Sequence, residues 1–179
     1  RRRHTSLLTV TGVQTCALPI WLFALLEAEG EAVARGNEAV FDGGVVAELV
    51  ERAAWAKVEV VSADEREAGD RIRLNLGHSL GHTYEAAAGF SALLHGEAVA
   101  FGLRAACRIG LAMGVTPAGR ADRIERLLDT LALGQGRLPY ALDTVLGHLG
   151  ADKKHRDGRL RRSEEHTSEL QSQSTISYA

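Results

Sequence analysis

The chain has 179 residues, 45% of them apolar and 25% charged, and its 21 Lys and Arg against 23 Asp and Glu leave a formal charge of −2. That is the make-up of one globular domain with enough chain to bury a core, and so even a balance gives no drive toward nucleic acid or an anionic membrane surface. Cys16 and Cys107 stand far apart, in neither a CxxC nor a paired metal spacing, which argues against a disulfide framework or a thiolate zinc site and fits a reducing cytoplasm.

Residues 1–20 and 163–179 share no amphipathic period with the middle of the chain, and both stretches read as appended, non-native segments. "LLTVTGVQTCALPI" at the start and "SEEHTSELQS" at the end resemble translated sequencing-adapter read-through. A targeting peptide is the rival reading of the start, but no A-x-A cleavage site follows its apolar stretch. No apolar run reaches the roughly 20 residues that a bilayer span needs, because the patch from Trp21 to Leu26 ends at Glu27 and Glu29.

Residues 21–162 read as a mainly α domain. A first helix is expected from Trp21 to Arg35, with a break at Gly36 and Asn37, then a turn at Asp42, Gly43 and Gly44. A second follows, with Val46, Leu49, Val50, Ala53, Ala54, Lys57, Val58 and Val61 on one apolar face that only Lys57 interrupts. The charged run from Asp64 to Asp70 leads to a third helix over about Leu76 to Ala88, which Gly89 ends. His95 opens a fourth, reaching about Met113. A fifth covers Ala121 to Leu131 after Pro117, and a shorter one spans Tyr140 to Leu149, before a polar stretch at Asp152 to Asp157.

The chemistry concentrates in "RIRLNLGHSLGHTYEAAAGFSALLHGEAVAFG". Asn75, His78, His82 and Glu85 step by three, four and three, which places them on one face of a single helix, and His95 at the start of the next can swing onto the same point. Imidazoles four residues apart can converge on one metal, or one can bind metal while its neighbour handles a proton. Histidines that merely cap, hydrogen-bond or lie at the surface are the plainer alternative. Gly77 and Gly81 each precede a histidine inside a helix, where glycine costs about 1 kcal/mol relative to alanine, so something must approach that backbone closely.

The segment from Asp64 to Glu85, with Glu67, Gly69, Arg71, Leu74, Asn75, Gly77, His78, Gly81 and His82 in place, resembles the "DExExGxRxxLNxGHxxGHxxE" of dehydroquinate synthases, and "LHGEAVAFG" resembles the motif that follows it. Lys57 and the late "DKK" of Asp152, Lys153 and Lys154 extend the likeness over nearly all of residues 21–162. The resemblance implies the helical C-terminal domain of a zinc- (or cobalt-) and NAD-dependent lyase of aromatic biosynthesis, homodimeric when whole. Such an enzyme takes a small phosphorylated sugar acid, 3-deoxy-D-arabino-heptulosonate 7-phosphate, to 3-dehydroquinate and phosphate. His78 and His95 would be metal ligands, Glu67 and His82 would handle protons, and Lys57, Arg71, Asn75, His82 and one of Lys153 and Lys154 would hold the substrate. The family's third ligand, a glutamate, and its NAD-binding glycines belong to an N-terminal α/β domain absent from this sequence, so the chain alone is expected to be inactive and to expose an apolar patch that favours self-association.

Two departures stand inside the match: Asp70 occupies a position usually apolar, and "HTYEA" replaces the commoner "HAIEA". Sister sugar-phosphate cyclases and iron-type alcohol dehydrogenases are the enzymatic alternatives. A helical scaffold or interaction module, in which Gly77 and Gly81 only permit close helix packing, is the non-enzymatic one.

Overall fold

A computed structural model describes residues 20–66, 70–136, 138, 140, 142–149, 155, 156, 159 and 160. Among these the molecule is mainly helical. The helices are α1 (Ile20–Ala34), α2 (Glu38–Asp42), α3 (Val45–Ala63), α4 (His78–Ala87), α5 (His95–Ala112), α6 (Ala118–Thr130) and α7 (Leu142–Leu149). A 3₁₀ segment, Asp70–Asn75, precedes α4, and the two-residue strands β1 (His155–Arg156) and β2 (Arg159–Leu160) pair antiparallel. Of the expected appended segments 1–20 and 163–179, all but Ile20, which opens α1, lie outside the described residues, and with them Cys16, as do Glu67, Lys153 and Lys154.

Helix α5 is the centre of the packing. Its sequence is small and apolar over most of its circumference, so it buries Ala98, Val99, Ala100, Leu103, Ala106 and Cys107 between α4 on one side and α6 on the other. Helix α1 packs against α3 and α6, closing a core in which Leu22, Leu26, Leu49, Val99, Leu103, Leu128 and Leu131 are almost wholly removed from water. Each such side chain contributes on the order of 2 kcal/mol by its burial. Arg104 crosses from α5 to α6, donating to Glu125, to Asp129 at 2.7 Å and to the Leu133 carbonyl at 2.9 Å. Arg123 of α6 holds Glu27 of α1 through two bonds of 2.7 and 2.6 Å, with its guanidinium over the Phe23 ring.

Three expectations change. Asn75 is not on the helix of His78: it closes the 3₁₀ segment, and Gly77, at φ +77°, turns the chain before α4 begins at His78 rather than Leu76. The buried stripe of α3 is Val46, Leu49, Ala53 and Ala56, whereas Ala54, Lys57 and Val58 are exposed. Lys57 therefore does not interrupt a buried face. The turn read at Asp42 follows a short helix, α2, whose N-cap Asn37 accepts from the Ala39 N–H at 3.0 Å.

The close approach implied by the glycines comes from α5. A Cβ on Gly81 would lie 3.0 Å from the Val99 Cα, one on Gly77 would lie 2.8 Å from the Leu103 nitrogen, and one on Gly102 would lie 2.0 Å from the Gly77 carbonyl oxygen. Ser79 and Thr83 are also buried on α4, and the Thr83 hydroxyl donates to the Ser79 carbonyl at 2.7 Å. That bond explains why threonine is accepted within "HTYEA": its one polar atom is satisfied inside the helix. The Tyr84 ring of the same segment meets Phe101 edge-on, 6.1 Å between centroids.

Candidate metal and substrate site

With α4 and α5 drawn together at glycine, the side chains along their shared edge meet. His78 and His82, one helical turn apart on α4, face His95, the first residue of α5. Their ring centroids lie 5.7 Å (His78 to His82), 5.4 Å (His78 to His95) and 5.7 Å (His82 to His95) apart. Zinc–nitrogen bonds of about 2.1 Å place the centroids of two imidazoles on one tetrahedral ion about 5.3 Å apart, so this spacing fits a shared divalent cation. Ligand atoms of His82, Glu85 and His95 all lie within 4.8 Å of one another, a donor set that takes in Glu85 and does not include His78. Nitrogen and carboxylate oxygen are donors that zinc accepts, and the residues present fit such an ion.

The ring nitrogens are not equivalent. His95 Nδ1 lies 3.0 Å from Glu85 Oε2, and His78 Nδ1 lies 3.4 Å from the Leu76 carbonyl oxygen. The contact to Glu85 leaves Nε2 as the outward nitrogen of His95. No acceptor meets the His82 ring among the described residues, and His82 is exposed. The Glu85 side chain is only 14% exposed, against 51% for His95.

Of the other expected site residues, Asn75 sits three positions before His78 at the end of the 3₁₀ segment, half-buried. Arg71, in the same segment, donates from one guanidinium nitrogen to the Glu65 carbonyl at 2.9 Å, while its backbone N–H donates to the Asp64 carboxylate at 3.1 Å. Asp64 and Glu65 are thereby tied to Arg71. Lys57 lies on α3, which packs against the 3₁₀ segment. One guanidinium nitrogen of Arg71 is thus held by a carbonyl of the loop, while Glu67, four residues before it, lies outside the described residues. What spacing alone missed is the bond from Glu85 to His95. Glu85 was visible on the histidine face, but its partner lies on another helix.

The chain is similar to known proteins over most of its length. Residues 20–155 match the family described as 3-dehydroquinate synthase C-terminal. A 3-dehydroquinate synthase from Microcystis aeruginosa is 39% identical over 120 residues, 67% of this chain and 33% of that protein. One from Rhodospirillum rubrum is 39% identical over 145 residues, 77% of this chain and 36% of that protein. Among solved structures, the 2-epi-5-epi-valiolone synthase ValA of Streptomyces hygroscopicus subsp. jinggangensis 5008, with NAD+ and Zn2+ bound, superposes with a TM-score of 0.71 at 26% identity, covering 89% of this chain and 44% of that one. The chain thus spans about a third of the length of the curated relatives it matches. With two linked motifs, the helical architecture and the matched span in agreement, the chain belongs to the 3-dehydroquinate synthase C-terminal family.

Proposed function

We propose that this chain forms the metal- and substrate-facing part of a 3-dehydroquinate synthase, which eliminates phosphate from 3-deoxy-D-arabino-heptulosonate 7-phosphate and closes the carbocycle of 3-dehydroquinate. The convergence of His78, His82 and His95 is the observation that supports it most. His78 and His95 would hold the divalent ion, zinc or cobalt, through Nε2, since the Nδ1 of each is turned to an acceptor, the usual arrangement of a ligating imidazole. His82, exposed beside them, would carry the proton at the substrate. When bound, NAD supplies a reversible hydride acceptor and the ion a Lewis acid at the reacting hydroxyl.

The remaining roles belong to this chain's own side chains. Arg71, anchored through one nitrogen to Glu65, keeps further N–H donors for a carboxylate or phosphate, and the amide of Asn75 can both donate to and accept from a hydroxyl. Lys57 offers a mobile point charge for phosphate. Glu67 and one of Lys153 and Lys154 complete the set by resemblance, with Glu67 handling protons. The remaining metal ligand and the bulk of the NAD contacts would come from the portion of the relatives that this chain does not span. The whole protein would be a cytoplasmic homodimer.

Likeness to ValA keeps a sister cyclase as the second reading, although identity to the curated dehydroquinate synthases is higher, 39% against 26%. The test places His78→Ala, His95→Ala and His82→Ala in the intact enzyme and measures zinc content and turnover of the phosphorylated sugar acid. His78→Ala and His95→Ala are expected to lose zinc and activity together, and His82→Ala to keep zinc while kcat falls about 100-fold or more. Zinc retained in both ligand variants would sink the metal assignment. Turnover of a sugar phosphate lacking the carboxylate, in place of the acid, would favour the sister cyclase.

A further inference from the structure

Glu85 has no role in the site as proposed, yet its placement is specific. It stands one helical turn beyond His82 on α4, its carboxylate is largely withdrawn from water, and Oε2 meets Nδ1 of His95 across the helix pair at 3.0 Å. A carboxylate taken that far from solvent needs a partner, and the imidazole supplies it. A neutral imidazole in water favours the proton on Nε2, the nitrogen that a metal on this site would need. An acceptor at Nδ1 reverses that preference, because only an Nδ1–H can donate to it.

We infer that Glu85 is a positioning residue: by accepting the His95 Nδ1 proton it holds that ring as the Nδ1–H tautomer, at a fixed rotation, with the Nε2 lone pair presented to the metal. The inference rests on the proposed reading of His95 as a ligand. It assigns Glu85 a place behind the ligand rather than on the ion. Two features of the geometry favour that place over direct ligation. Oε2 lies at hydrogen-bond distance from a ring nitrogen, and the carboxylate is the less exposed member of the pair, while His95 is half open to solvent. His78 has a backbone carbonyl at its Nδ1 instead, and no such acceptor meets His82 among the described residues, so the carboxylate acts on His95.

The contact can be read without metal or turnover. Nitrogen-15 NMR of the imidazoles in this chain, at alkaline pH where the rings are neutral, distinguishes the tautomers by the shifts of Nδ1 and Nε2. His95 should be Nδ1–H, should revert toward Nε2–H in Glu85→Ala, and should remain Nδ1–H in Glu85→Gln, whose amide oxygen still accepts. Competition with a chromophoric chelator then gives zinc affinity in the intact enzyme. Glu85→Ala should weaken it about 10- to 100-fold and Glu85→Gln by less, with helicity by circular dichroism unchanged in both. An Nε2–H His95 in the parent chain overturns the inference, as does an Ala variant that binds zinc at full strength. Equal and near-complete loss of zinc in both variants would make Glu85 a ligand and overturn it as well. Failure of the underlying reading looks different: His95→Ala would keep its zinc even though the tautomer responded to Glu85, and the inference would fall with the metal assignment.

Discussion

At the scale of single residues, the contrast between Cys107 and the histidines shows how burial separates structural from reactive groups. Cys107 lies in the middle of α5, buried against the core, and burial together with the nearby Glu125 carboxylate pushes its thiol up from 9.0 to about 11. Arg104 and Arg108 pull the other way and are outweighed. The thiolate is therefore scarce at neutral and mildly alkaline pH. Cys107 should react with a thiol-specific disulfide reagent at pH 8 at least about 100-fold more slowly in the folded chain than in denaturant. A folded-state rate close to the denatured one would contradict this. Its setting in the sequence agrees: Cys107 follows Ala105 and Ala106 on a helix of small residues, where a cysteine serves as small apolar filler.

At the scale of elements, α4 and α5 owe their contact to missing side chains. Gly102 allows α5 to sit on the Gly77 carbonyl, and Gly77 itself adopts a φ of +77° that a side chain would oppose. Gly102→Ala puts a carbon 2.0 Å from a backbone oxygen that has no rotamer to move, whereas Gly81→Ala meets the Val99 Cα and Cγ2 at 3.0 Å, where a shift of a few tenths of an ångström suffices. Gly102→Ala should therefore cost about 3 kcal/mol or more, against about 1 kcal/mol for Gly81→Ala, read as denaturant midpoints at unchanged m. The reverse order would show that the glycines serve something other than this packing. In sequence, Gly77 and Gly81 could be recognised as costly and therefore purposeful. Which neighbour they admit depended on α5 lying across them.

At the scale of the whole molecule, the surface keeps apolar groups that a closed domain would cover. Trp55 is 63% exposed and Val58 48%, three residues apart and so on one face of α3, and Phe90 and Met113 are exposed elsewhere. The chain is expected to self-associate with rising concentration in sedimentation velocity, and Trp55→Glu with Val58→Lys should shift it toward monomer. A parent chain that stays monomeric across the accessible range would remove this patch as the cause.

The helical succession, the boundaries near Gly36, Gly89 and Pro117 and the family were legible in the sequence, because capping, glycine and apolar period act over a few residues and the linked motifs are dense in polar side chains at fixed spacing. Periodicity failed in part on α3, where Val46, Leu49 and Ala53 are buried as expected but the stripe runs on to Ala56 and leaves Ala54, Lys57 and Val58 exposed, since which apolar face turns inward depends on what α1 and the 3₁₀ segment present to it. It failed again at Asn75, where the left-handed turn at Gly77 breaks a register that the spacing alone continued. The sequence by itself thus determined the longer helices, their order and the chemical types gathered in the motif. Only the tertiary structure decided that His95 closes on His78 and His82 and that Glu85 meets Nδ1, because both depend on the distance between two helices, and that distance is set by glycines packing across a gap of some twenty residues.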